Sequence, residues 1–280
     1  MRFAIIANET KPNAVTLTMD IVNWLKSKSV EIISLDNHTL QLGRLDTKVQ
    51  SYLEKSDAII VLGGDGTLLN AAHLFCQYKV PLVGINIGHL GFLTSLEKNN
   101  LYEGLQKIID GDYILDKRMT LDVVLERNHK EIGRFSAIND AVISKNALAR
   151  MFTMEISVNN QMIDQYAADG LIVATPTGST AYSLSAGGPI VEPSMQAILL
   201  TPICAHNLYS RPMVVNPHEI IFVKVKQPTS DVTLTIDGQI GVPMKDEDIV
   251  KIANGARDIS FIRLSQWNFY QILHEKFNKG

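Results

Sequence analysis

Residues Asp57 to Leu62 form a β-rich apolar run that stops abruptly at Gly63-Gly64-Asp65-Gly66-Thr67, and Thr67 to Tyr78 then carries a helical pattern. A buried strand that ends in glycines and turns at once into a helix belongs to a mostly parallel sheet covered by helices. The rest of the first third agrees. Arg2 to Asn8, Val30 to Leu35 and Pro81 to Ile87 read as strands, and Asp46 to Lys55 as a helix. Val15, Met19, Val22 and Leu25 recur at three- and four-residue spacing, the stripe of an amphipathic helix.

The pattern changes after about Asp110. Met119 to Glu126, Gly133 to Ile138, Ala141 to Lys145, Met154 to Val158, Leu171 to Thr175, Ile220 to Lys226 and Val232 to Ile236 are short β-type runs. Asn128-His129-Lys130 and Asn159-Asn160-Gln161 sit between such runs as hairpin turns. We therefore expect a Rossmann-like α/β domain over residues 1–96 and a β-rich, sandwich-like domain over 97–264. The tail, 265–280, holds Trp267, Tyr270, Ile272, Leu273 and Phe277 and is expected to pack back on the first domain as a helix.

Composition narrows the function classes. A chain of 280 residues that is 46% hydrophobic can bury a real core, which excludes a disordered chain. The net charge of −3 gives no global field to attract nucleic acid or an anionic membrane. No apolar run approaches the roughly 20 residues of a membrane helix, and the apolar start is too short for a signal peptide. Cys76 and Cys204, both in apolar stretches, are expected to be buried thiols of a cytoplasmic protein. No His, Cys, Asp or Glu set has zinc-ligand spacing, and no metal ligand is assigned.

Two segments carry chemistry. The glycine loop lies where ligands bind in open α/β sheets, and its amides and the following helix N-terminus suit a phosphate. Asp65 inside it would repel an anion, so it makes sense as acceptor of a proton from an attacking hydroxyl or as holder of a phosphate-bridging metal. The plainer alternative is a tight turn capped by Asp65 or Thr67. The second segment, Asp169 to Pro189, emerges from a β-run into Thr175-Pro176-Thr177-Gly178-Ser179-Thr180-Ala181-Tyr182-Ser183-Leu184-Ser185. Hydroxyls and small residues at that density suit hydrogen bonding to a nucleotide, and Tyr182 could line a base. Taken alone, Asn139-Asp140 reads as a bend and Asp237-Gly238-Gln239 as a hairpin turn, while His73 and His89 are weak signals.

In this order, those segments resemble the NAD kinases, which phosphorylate the adenosine ribose of NAD. The glycine loop is shared with diacylglycerol, sphingosine and phosphofructokinases; the Thr-Pro-Thr-Gly-Ser-Thr-Ala-Tyr segment is the specific part. The resemblance implies transfer of the γ-phosphoryl of ATP to the 2′-hydroxyl, with Mg²⁺ on the donor phosphates and an active site between two domains. It also implies homodimers or homotetramers in which a neighbouring subunit completes the NAD site. It assigns Asp65 as proton acceptor or metal-positioning group. Gly66, Asn139, Asp140, Asp169, Thr180, Ala181, Tyr182, Ser183, Leu184, Ser185 and Gln239 become NAD contacts, with His73 and Arg150 as looser matches and Lys145 a further candidate cation. A lipid kinase and an inactive NAD(H) sensor are the competing readings. The hydroxyl-rich segment argues against the first, and the presence of Asp65 and Asn139-Asp140 against the second.

Overall fold

The computed structural model describes residues 1–11, 13–35, 45–88, 91–146, 150–207, 210–226, 231–264 and 268–278. His89, Gln266 and Trp267 lie outside the described residues. The chain forms two compact units, one of residues 1–117 with 259–280 and one of 118–258.

The first unit is built on a seven-stranded sheet. Its order is Glu31–Leu35, Arg2–Ala7, Ala58–Leu62, Leu82–Asn86, Ile259–Arg263, Ile114–Arg118, with Leu96–Glu97 added beside Leu82–Asn86. The first four strands pair in parallel, as the alternating pattern requires. Ala58–Leu62 and Leu82–Asn86 are buried along their whole length, which is why they read as continuous apolar runs rather than alternations. Helix Ala14–Ser27 buries Ile21 and Leu25, and helix Asp65–Phe75 buries Leu68, Leu69, Ala72 and Phe75. Helix Phe269–Asn278 buries Phe269 and Ile272, with the Phe269 ring 6.0 Å from Phe92, so the tail does pack back on this unit.

The expected divisions at 97 and 264 move to 118 and 259. Leu96–Glu97 pairs in parallel with Leu82–Asn86, and helix Leu101–Ile109 places Leu101, Leu105 and Ile108 in the same core as Phe3 and Ile60. Ile259–Arg263 then returns from the β-rich unit to pair with Leu82–Asn86. A five-residue β-run carries no mark of which sheet it will join, so this exchange is invisible in a linear pattern.

The second unit consists of two six-stranded sheets. One runs Gln161–Ala168, Phe152–Val158, Ile221–Lys226, Ile249–Asn254, Leu121–Arg127, Lys130–Ala137; the other runs Met213–Val215, Ile198–Ile203, Gly170–Ala174, Asp140–Lys145, Val232–Ile236, Ile240–Met244. Leu121, Val123, Met154, Val223 and Ile252 of the first sheet share one core with Ile143, Leu171, Leu200 and Leu234 of the second, which makes the expected sandwich. The second sheet also packs outward, where Val142, Ile172, Ala174 and Leu199 meet Val191. Asn128 and His129, then Asn159 and Asn160, all have positive φ (48–66°), the geometry of tight two-residue hairpins.

Candidate functional site

In the first unit, strand Arg2–Ala7 has Glu31–Leu35 on one side and Ala58–Leu62 on the other. The winding therefore reverses here, and the loops after Arg2–Ala7 and Ala58–Leu62 diverge to leave a crevice at the strands' carboxyl ends. A cavity of about 800 Å³ fills that position, lined by Lys11, Asn13, Gly63, Gly64, Asn86 and Lys98 among others. Lys11 and Lys98 outnumber the one carboxylate of the lining, Asp20, and with the start of helix Asp65–Phe75 they suit an anion.

The loop glycines divide by role. A Cβ on Gly63 would sit 2.5 Å from Thr67 Cβ, so packing alone demands glycine there. A Cβ on Gly64 or Gly66 would meet nothing within 4 Å. Neither has positive φ. The fold does not need those two glycines, whereas a ligand approaching the backbone closely would.

Asp65 opens the helix, half-buried, with its carboxylate turned into the segment after the next strand. Its Oδ2 accepts the Phe92 N–H at 2.7 Å, and Oδ1 accepts those of Leu93 at 2.9 Å and Thr94 at 3.3 Å. A Cβ on Gly91 would fall on the same carboxylate. Neither of the plain capping alternatives is the geometry found: the residue before the helix is Gly64, and Asp65 ties two separate loops together. Three donors leave one of a carboxylate's four lone-pair positions for a further partner.

In the second unit, register brings three of the motifs to one end of one sheet. Ala174 pairs with Asp140, and Ile236 with Ala141. Asp237, only 8% exposed, accepts the N–H groups of Ile138, Asn139 and Asp140, each at 2.7 Å. Thr175 Oγ1 donates to the Ile138 carbonyl at 2.6 Å, and Gly178 presses so closely on the Asn139 carbonyl that a Cβ would lie 2.1 Å from it. The Asp140 carboxyl is 5% exposed; burial, and then the nearby Asp237 charge, push its pKa up to about 7.

The hydroxyl-rich segment is partly spent on itself. Ser179 Oγ bonds to Pro176 and Val191, and the fully buried Ser183 Oγ lies 2.9 Å from Thr201 Oγ1. Ser183 thus helps to hold the turn together, while Thr180, Ala181 and Leu184 are half-buried and Tyr182 and Ser185 exposed. Asp169 is at the far end of strand Gly170–Ala174, about 20 Å of extended chain from Thr175. There its carboxylate pairs with Lys145 Nζ at 3.4 Å. Exposed Arg150 precedes strand Phe152–Val158, whose first residue pairs with Ala168, so it belongs to that far end as well. Gln239 is exposed beyond the Asp237-Gly238 turn, and His73 lies half-buried in the last turn of its helix. The structure thus clusters Asn139, Asp140 and the 175–182 turn with the Asp237 turn, and separates Asp169, Lys145 and Arg150 from them.

Sequence reasoning missed Lys11, Lys98 and Asp237 as parts of these arrangements. Asp237-Gly238 already announces a turn, and that signal masks the second use of its carboxylate. Of the cysteines, neither is in a disulfide; Cys76 is half-buried and Cys204 exposed, against the expectation that both are buried. Cys204 lies just past the end of strand Ile198–Ile203 with φ of 46°. Among the described residues no three His, Cys, Asp or Glu side chains converge as a metal cage, and no helix is long and apolar enough to cross a membrane.

Residues 3–113 match the family model of the ATP-NAD kinase N-terminal domain, and residues 138–264 that of the ATP-NAD kinase C-terminal domain. The NAD kinase of Moorella thermoacetica is 41% identical over 280 residues, covering 100% of this chain and 90% of its own. That of Thermoanaerobacter sp. is 40% identical over 283 residues, with 99% of each chain covered. Among solved structures, yeast NADH kinase complexed with NADH superimposes with a TM-score of 0.82 at 25% identity, covering 99% of this chain and 87% of its own. An NAD kinase from Archaeoglobus fulgidus in complex with ATP gives 0.77 at 26% identity, covering 99% and 98%.

Proposed function

This chain belongs to the NAD kinase family and phosphorylates NAD with ATP as donor; we propose that it does so with the donor phosphates on the Gly63–Thr67 loop and Asp65 on the acceptor hydroxyl. The observation that carries the reading is Gly64, whose missing side chain leaves open space at a cavity that it lines together with Lys11 and Lys98, while the neighbouring Gly66 likewise has nothing that a side chain would meet. Amides and two cations there offset the charge of a polyphosphate. Asp65, held rigid by three N–H donors, uses its remaining lone pair to orient the adenosine 2′-hydroxyl for attack on the γ-phosphorus.

The second unit supplies the acceptor contacts. Asn139, Thr180, Ala181 and Tyr182 suit the adenine half; Leu184, Ser185 and Gln239 are further contacts, and Ser183 acts through the shape of the turn. Asp140, near half-protonated at neutral pH, can both donate to and accept from a ribose hydroxyl. The far-end group of Asp169, Lys145 and Arg150 suits a second copy's dinucleotide, as in an oligomer whose neighbour completes the site. His73 remains a contact on the glycine-loop helix. Mg²⁺, bound with ATP, would neutralise the charge of the donor phosphates, with Asp65 as the carboxylate of the glycine loop that could help to hold it. We place the protein in the cytoplasm, where both substrates occur and Cys76 and Cys204 stay reduced.

The test is purified protein with NAD, ATP and Mg²⁺, with NADP read by an NADP-specific dehydrogenase. No NADP above a heat-killed control refutes the activity. Asp65→Asn is expected to lose most turnover while still binding NAD; near-normal turnover removes Asp65 from the chemistry.

A further inference from the structure

Arg263, at the end of strand Ile259–Arg263, is fully buried, and its guanidinium points at the segment that Asp65 grips. Its Nη1 donates to the carbonyls of Leu93 at 2.6 Å and Thr94 at 3.2 Å and to Ser95 Oγ at 3.0 Å; Nη2 reaches the Phe92 carbonyl at 3.3 Å. Nε pairs with Asp116 Oδ2 at 2.9 Å, a carboxylate itself only 10% exposed. Asp65 takes the N–H groups of Phe92, Leu93 and Thr94. The peptide unit joining Phe92 to Leu93 therefore has its oxygen on Arg263 and its hydrogen on Asp65, and the unit joining Leu93 to Thr94 does the same. Each of the two peptide groups thus bridges the buried cation and the loop carboxylate.

We propose that Arg263 is a positioning residue for phosphoryl transfer, acting on Asp65 through these two peptide units. Polarised by the guanidinium, their N–H groups are stronger donors, and a segment held from both sides fixes the carboxylate against rotation about its side-chain bonds. This rests on the reading of Asp65 given above. Arginine is required because the fork holds three carbonyls and a hydroxyl at once while its Nε keeps the ion pair. Lysine keeps the charge opposite Asp116 but cannot span the set.

The experiment is a double-mutant cycle on the full chain, with kcat, KM and the melting curve measured for Arg263→Lys, Asp65→Asn and the pair. Arg263→Lys is expected to lower kcat by about tenfold to a hundredfold, with KM for NAD and ATP within about twofold and a cooperative melt retained. In the Asp65→Asn background the same substitution should change kcat by less than about twofold, because the group it acts through is gone. An unchanged kcat in Arg263→Lys, or its full loss repeated on top of Asp65→Asn, overturns the proposal while leaving Asp65 in place. Near-normal turnover of Asp65→Asn alone overturns the Asp65 reading and this proposal together. Where Arg263→Lys melts without cooperativity, Asp116→Asn, which leaves every bond from the guanidinium to the segment, is read against the same outcomes with a smaller loss expected.

Discussion

Single residues carry two contrasts that a substitution can expose. Asp140 is buried beside Asp237, and its pKa of about 7 lies far above that of a carboxyl in an unfolded chain. The unfolded state therefore gives up this proton near pH 4 while the folded state keeps it to about pH 7, so stability falls with rising pH across that window. Asp140→Asn should remove the slope: its unfolding free energy in urea, relative to the parent, is expected to rise by on the order of 4 kcal/mol between the two ends of that range. A difference that stays flat with pH refutes the burial argument. The glycines offer the second contrast. Gly66→Ala, in a helix and facing open space, should stabilise the fold by about 0.5–1 kcal/mol yet cut turnover at least about tenfold. Gly63→Ala collides with Thr67 and should lower both stability and activity; a Gly66→Ala variant with full turnover would mean that no ligand approaches that amide.

At the scale of elements, each unit uses one carboxylate to gather three consecutive backbone amides: Asp65 with residues 92–94, Asp237 with residues 138–140. Both loops lie at strand ends, where amides have no ladder partner, and a carboxylate can satisfy several at once. Asp237→Asn has one acceptor oxygen in place of two and sets an NH₂ against N–H groups. It should cost about 1–3 kcal/mol in thermal or urea unfolding and weaken NAD binding by calorimetry, because the Asn139-Asp140 bend loses its shape. Binding unchanged in a destabilised variant would separate that bend from the acceptor site. The motif segments were legible in the chain, since runs of small, hydroxyl and glycine residues between buried strands are unusual. Their division of labour was not. Ser179 and Ser183 bond inward and Ser185 faces out, although nothing in the residue type distinguishes a hydroxyl that caps a turn from one that meets a ligand.

At the scale of the whole molecule, the second unit leaves several large apolar side chains exposed, among them Met162, Tyr182, Met195, Met213 and Val214, which is the kind of surface that copies of a chain cover in an oligomer. Sedimentation equilibrium is expected to give a dimer or tetramer, and a monomer at micromolar concentration would leave the Asp169–Lys145–Arg150 group outside any dinucleotide site. Periodicity and apolar runs were enough to specify a parallel α/β layer, a β-rich part with tight Asn turns, and a glycine loop at a strand's end, because local propensity and burial act over a few neighbouring residues. Which sheet a short strand joins was beyond them: Ile259–Arg263 crosses back to the first unit and Leu96–Glu97 never leaves it. The same holds for the cavity between loops 50 residues apart, for the separation of Asp169 from Thr175 along one strand, and for the buried Arg263 reaching back about 170 positions to the Leu93 carbonyl. These depend on strand order and register, which are set by packing between distant segments and leave no periodic trace along the chain.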